Sequence, residues 1–122
     1  MNLIILLIVL YILLGIGIIF NCLGSIGLLR FPDVYTRLHA TTKNTTFGSI
    51  FTCLAVIIFG FYQLHATKDS KFLVLALHTF VALVCLIITN PTGSHAIARA
   101  AHRSGVMPKL AVIDQLKEDK LK

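Results

Sequence analysis

Residues 3–29 read LIILLIVLYILLGIGIIFNCLGSIGLL, 27 positions without one charged side chain. A helix rises about 1.5 Å per residue and the hydrocarbon core of a bilayer is about 30 Å thick, so about 20 apolar residues suffice to cross it. This run exceeds that length, so the span is expected to tilt or to reach past the membrane boundary. It is expected to be a permanent first span rather than a cleaved signal peptide. No basic residue precedes it, and it far outruns the roughly 7–15 residues of a signal core. Two further runs follow. Residues 45–64, TTFGSIFTCLAVIIFGFYQL, and 72–89, FLVLALHTFVALVCLIIT, hold 20 and 18 positions, and His78 is the one strongly titratable group in either.

Composition supports the same class. Hydrophobic residues make up 57% of the 122-residue chain and charged residues 13%, against roughly 45–50% and 25% in soluble proteins. The mean hydropathy is +0.87. So little charge cannot cover the surface of a small soluble fold, which excludes a secreted mini-domain, a disordered chain and an ordinary soluble enzyme. The expected fold is all-α and integral to the membrane. Three spans at about 3–29, 45–64 and 72–89 form a transmembrane domain over residues 1–108, and 109–122 form a charged cytoplasmic tail.

The net charge is +6, but its placement points to topology rather than to nucleic acid, since no basic face of a folded domain supports the latter. Arg30, Arg37 and Lys43 lie between the first two runs, and Arg99, Arg103, Lys109, Lys117, Lys120 and Lys122 follow the third. Only Lys68 and Lys71 lie in the turn between the second and third. Nine basic residues against two put the N-terminus outside and the C-terminus in the cytoplasm. Cys22, Cys53 and Cys85 share no CxxC spacing and read as small buried hydrophobes. The sequence calls for no cofactor, no metal ion and no catalytic residue.

The first connection has structure of its own. Phe31, Val34, Tyr35 and Leu38 repeat at i, i+3, i+4, i+7, the pattern of one helical face. A short amphipathic helix is expected to start at Pro32 and lie in the interface, with Asp33 complementing its positive end. No Gly or Pro separates it from the second span, so it can run on into that span with a bend. After Pro91, the Ala-rich stretch Ser94 to Arg103 is expected to be helical, with Gly105 as its C-terminal cap.

Each span carries one small or weakly polar stripe. Gly17, Asn21, Gly24 and Leu28 share a face in the first; Thr42, Thr45, Ser49, Thr52, Val56 and Gly60 in the second; His78, Ala82, Cys85 and Thr89 in the third. Such stripes let helices approach closely, and hydroxyls can bond across the contact; the alternative is a wetted path between them. No Asp, Glu, Lys or Arg enters a span, whereas ion carriers almost always place such groups there. His78 is either an interhelical hydrogen-bonding residue or a proton relay. The chain therefore reads as part of something larger.

Two stretches carry a family resemblance: GLLRFPDVYTRLHATTK at 27–43, continuing to Gly48, and TNPTGSHAIARAAHRSG at 89–105. Both resemble the MnhG/PhaG subunit of the Mrp-type multisubunit cation/proton antiporters, over roughly residues 15 to 108. The resemblance implies an accessory subunit of a sodium or potassium/proton antiporter module in a prokaryotic cell membrane. Its partners would be small E-, F- and B-like subunits and the large antiporter-like subunits, which carry the ion-conducting carboxylates and lysines. Membrane-bound hydrogenases and sulfur-reducing complexes contain a similar module and are alternative hosts. Within the motif, Arg30, Asp33, Arg37, His39 and Lys43 are the candidates for a subunit interface or an ion entrance, or for simple anchoring with an Arg30–Asp33 pair orienting the turn. Direct conduction through His78 and the hydroxyl stripe, and a free-standing small exporter, remain the competing readings.

Overall fold

The computed structural model describes residues 3–106; the expected tail at 109–122 lies outside the described residues. The described residues form three helices, α1 (Leu3–Arg30), α2 (Val34–Thr67) and α3 (Ser70–Arg103), each long and apolar enough to cross a membrane. The protein is thus an all-helical, multi-pass membrane protein. α1 packs on α2 and α2 on α3, while α1 and α3 scarcely meet. The result is an open row with α2 in the middle.

α1 stops at Arg30 because Phe31 precedes Pro32, and the proline ring disfavours helical backbone at the residue before it. The connection is short: the Phe31 N–H still bonds the Gly27 carbonyl, and Asp33 is extended at φ −98°, ψ 141° as the N-cap of α2. Pro32 therefore sits ahead of the cap instead of within the first helical turn. Asp33 makes no side-chain capping bond and no ion pair with Arg30. Among the described residues the ion pair is Lys71–Asp69, in the opposite connection. The bond that orients the turn comes from Arg37, whose Nε donates to the Phe31 carbonyl.

The interfacial helix expected after Pro32 is the first part of α2, with no separate element between it and the second span. The absence of Gly or Pro up to Phe47 leaves the helix nothing to stop it. Likewise α3 runs through Pro91 to Arg103. Proline removes the bond to the Ile87 carbonyl, but Thr92 Oγ1 and Ser94 Oγ bond the neighbouring carbonyls of Ile88 and Pro91 at 2.8 and 2.9 Å. Gly105 follows the last turn at φ +84°, a conformation that suits glycine, and its N–H bonds the His102 carbonyl at 3.1 Å.

At 34 residues each, α2 and α3 are about 51 Å long, some 20 Å more than the hydrocarbon core. The excess lies at one end, where the start of α2 and the end of α3 meet. There Tyr35 Oη donates to the Val106 carbonyl at 2.9 Å, tying residues 71 apart. At the other end Lys68 closes α2 in the left-handed region, and Asp69 caps α3 by accepting from the Lys71 N–H at 3.0 Å.

Candidate functional site

The seam between α1 and α2 is built from glycines. A Cβ on Gly17 would lie 2.6 Å from Thr52 Oγ1 and 3.0 Å from the Gly48 carbonyl oxygen, and a Cβ on Gly48 would fall within 2.4–2.8 Å of the Asn21 carboxamide. Gly24 faces Asn44 and Thr45, each 3.3 Å from where its Cβ would stand. The backbones approach this closely because no side chain stands between them. Below the seam Leu6, Leu10 and Ala55 form the small buried cluster. Phe20 stacks on Phe47 and Phe51, with ring centroids 5.7 and 6.2 Å apart.

α3 is joined to α2 at two levels. Near the short hairpin, Gly60 lies under α3, its Cβ position 3.1 Å from the Phe72 carbonyl oxygen and 3.2 Å from Ala76 Cβ. Near the opposite end, Asn90 Nδ2 donates to Thr46 Oγ1 at 2.7 Å and approaches Thr45 Oγ1 at 3.5 Å. Residues 72, 76 and 90 therefore set the rotation of α3. That rotation turns His78, Ala82, Cys85 and Thr89 outward, all exposed. His78 is exposed and makes no hydrogen bond to α1 or α2; its Nδ1 lies 2.8 Å from the Val74 carbonyl oxygen of its own helix. A neutral imidazole bonded this way keeps Nε2 free as an acceptor on the outer face.

Between α2 and α3 runs an open groove of about 520 Å³, walled by Thr42, Thr45, Ser49, Thr89 and Asn90 with Leu28 and Leu86 beside them. Of the hydroxyls on its lining, those of Thr45, Thr89 and Ser94 bond back to their own helices. Thr45 Oγ1 donates to the Thr41 carbonyl at 2.7 Å and Thr89 Oγ1 to the Cys85 carbonyl at 2.8 Å. Thr52, deeper in α2, does the same with Gly48 at 2.8 Å. Bonding back to the helix occupies the donors of these residues, whereas Thr42 and Ser49 make no such bond. Thr41 differs: its Oγ1 is shielded and has no partner. Towards the end held by Tyr35, the groove opens into a second hollow of about 350 Å³, lined by His39, Lys43 and His95 among others. Among the described residues no group of three His, Cys, Asp or Glu side chains is placed to hold a metal.

Of the motif residues, Arg30, His39 and Lys43 are exposed, while Asp33 and Arg37 are half-buried in the turn between α1 and α2. The structure does not gather these five into one cluster; His39 and Lys43 join His95 of α3 instead. Asn90 is the interhelical donor that the sequence reading passed over. Its signal was available, as a lone carboxamide next to an apolar span. Replacing it by leucine strands Thr46 and is expected to cost about 0.6–1.7 kcal/mol of α2–α3 association. Thr41→Val removes an unpaired hydroxyl at nearly constant shape and is expected to be neutral or slightly stabilising. Thermal unfolding of the purified protein in detergent, compared for the two variants, checks both.

Three apolar spans in an open row, α1 on α2 and α2 on α3, define a multi-pass membrane protein. A family model described as Na+/H+ antiporter subunit (PhaG/MnhG/YufB) matches residues 13–102, and the chain belongs to that family. It is 42% identical over 91 residues to the G-type subunit of the Na(+)/H(+) antiporter of Alkalihalophilus pseudofirmus, covering 75% of this chain and 70% of that protein. It is 58% identical over 101 residues to UPF0091 protein PH1428 of Pyrococcus horikoshii, covering 83% and 84%. Among solved structures it resembles a chain of the membrane-bound sulfane sulfur reductase, an archaeal respiratory membrane complex. There the TM-score is 0.73 at 31% identity, over 93% of this chain and 97% of that one.

Proposed function

We propose that this chain is a non-catalytic accessory subunit of a multisubunit sodium (or potassium)/proton antiporter module in a prokaryotic cell membrane. Its N-terminus faces outward and the joined ends of α2 and α3 face the cytoplasm, as the nine-to-two distribution of basic residues favours. The observation that carries this reading is how little the chain buries by itself. In the most apolar stretches of α1, α2 and α3 only 11, 17 and 6% of residues are buried. Lipid can cover their Ile, Leu and Val, but a neighbouring helix is the better cover for the outward stripe His78, Ala82, Cys85 and Thr89, since small residues permit close approach and the imidazole can bond across. That face of α3 and the exposed end of α1 at Arg30 are the proposed contacts with E-, F- and B-like and large antiporter-like subunits. A redox-driven host is supported by the similarity to a chain of the sulfane sulfur reductase complex.

The conduction reading of His78 finds less support, because among the described residues α3 carries no acidic or basic side chain between Lys71 and His95 apart from His78 itself. A strain lacking this chain is expected to lose cation-dependent proton movement in everted membrane vesicles, followed by a pH-sensitive dye. Wild-type restores it, and so does His78→Gln, to within about twofold. Full assembly with lost transport in His78→Gln shifts the assignment to conduction. Undiminished transport in the deletion strain removes the subunit from the module.

A further inference from the structure

The hollow of about 350 Å³ at the cytoplasmic end of α2 and α3 is rich in donors and lined by no carboxylate. His39 and Lys43 from α2 and His95 from α3 are exposed around it, and Leu38, Thr42 and Ala98 lie half-buried among them. The Lys43 ammonium brings three N–H donors and no acceptor, and each imidazole brings at least one donor. The Thr42 hydroxyl makes no hydrogen bond and is also unspent. Among the described residues the ion pair is Lys71–Asp69, at the opposite end of the molecule, so Lys43 has no acidic partner there. The imbalance extends around the hollow. At this end the described residues place Arg30, Arg37, Lys43, Arg99 and Arg103 against Asp33 alone.

We infer that this hollow seats an acidic segment of a neighbouring subunit, with a carboxylate of that segment against Lys43 and the two imidazoles. The inference rests on the accessory-subunit reading and adds to it one contact of stated chemistry. Charge argues for the acid. A neutral surface laid over this end would take Lys43 out of water without a partner, which is costly, whereas a carboxylate there satisfies it and also selects the right neighbour. The walls argue for polypeptide rather than lipid. Inward from Lys43 the adjoining groove is walled by Thr45, Ser49, Thr89 and Asn90, with Leu86 as the large apolar side chain at that depth. Leu28, Leu38 and Ile97 lie on the cytoplasmic side of Lys43 and His95 instead. An acyl chain beneath a headgroup at Lys43 would therefore run over hydroxyls and a carboxamide, whereas a protein segment can hydrogen-bond to them. Around the hollow itself, Leu38, Pro91 and Ala98 give a small apolar patch edged by charge, the pattern of an apolar centre and polar rim found where proteins meet.

The test uses the assembly as it exists in its own membranes. A photo-crosslinking amino acid at Ala98 is activated there, the assembly is purified in mild detergent, and the captured species is identified by mass spectrometry. The expected capture is a cytoplasmic peptide of a co-purifying subunit with an Asp or Glu within a few residues of the linkage. At equal amounts of this chain, Lys43→Glu should lower recovery of that subunit about tenfold and Lys43→Arg should preserve it. Lysine in place of the captured acid should restore recovery to Lys43→Glu. A captured phospholipid overturns the inference and leaves the accessory-subunit reading in place. The same holds for capture within residues 107–122 of this chain, for a captured peptide without an acid, and for recovery that Lys43→Glu leaves unchanged. Wild-type chain that purifies with no other subunit overturns both.

Discussion

Gly17→Leu is expected to abolish stable incorporation of the chain, while Gly15→Leu, two positions away on the same helix, leaves it in place. The difference lies in what each Cβ would meet. At Gly15 nothing lies within 4 Å, whereas at Gly17 the first added carbon already stands 2.6 Å from Thr52 Oγ1 and 3.0 Å from the backbone oxygen of Gly48. The threonine could rotate only by giving up its 2.8 Å bond to that same oxygen, and the backbone cannot yield without moving α2. A leucine adds three more carbons to a gap already too small for one. Overpacking of this kind costs about 1–3 kcal/mol in well-packed cores and more where backbone must shift. α1 and α2 are also joined by Leu6, Leu10 and Ala55 with Leu13, Leu14, Ile58 and Tyr62 packed against them, a contact that a forced separation at Gly17 would loosen. The measurement is the amount of chain recovered with membranes and in the purified assembly, for the two variants side by side.

Gly60→Leu is expected to be the next most damaging change, at the other contact of α2. Its Cβ would stand 3.1 Å from the Phe72 carbonyl oxygen and 3.2 Å from Ala76 Cβ. Alanine could be admitted by a shift of a few tenths of an ångström; leucine forces the backbones of α2 and α3 apart beside their hairpin. Lys68 and Asp69 keep the helices connected, so the expected result is splaying rather than separation. Ala76, the buried residue under Gly60, would lose its cover, and Asn90 would be carried away from Thr46. The predicted loss is again about 1–3 kcal/mol, read as a lowered thermal transition in detergent and faster proteolysis at residues 67–71. Gly60→Ala should lie close to wild-type.

The three spans were legible in the sequence because crossing a membrane depends on apolar length, which a linear reading measures directly. The stop at Arg30 was legible too, since Pro32 restricts the residue before it. The rotation of α3 was not. In a soluble helix the core face is the apolar one, but in a membrane both lipid-facing and helix-facing positions are apolar, so periodicity does not mark the contact. The stripe through His78 drew attention for its polarity, yet the contact with α2 runs through Phe72, Ala76 and Asn90. The Arg30–Asp33 pair failed for a related reason. Two opposite charges three residues apart pair readily on one helix, but here α1 ends between them and the extended Asp33 starts another. The family motif was legible as a string of residues; that His39 and Lys43 look across to His95, 52 positions beyond Lys43, depends on α2 and α3 lying antiparallel with their cytoplasmic ends joined.

A chain that leaves this much of its three helices uncovered works as one part of a larger membrane assembly. Native mass spectrometry bears on that conclusion without intermediate steps, with the chain purified through an affinity tag from its own membranes in mild detergent. The expected result is a particle that contains this chain at fixed stoichiometry with several other membrane subunits, at least one of them large and bearing charged residues within its spans. A homo-oligomer of this chain alone that moves cations or protons after reconstitution into vesicles would show the conclusion to be wrong.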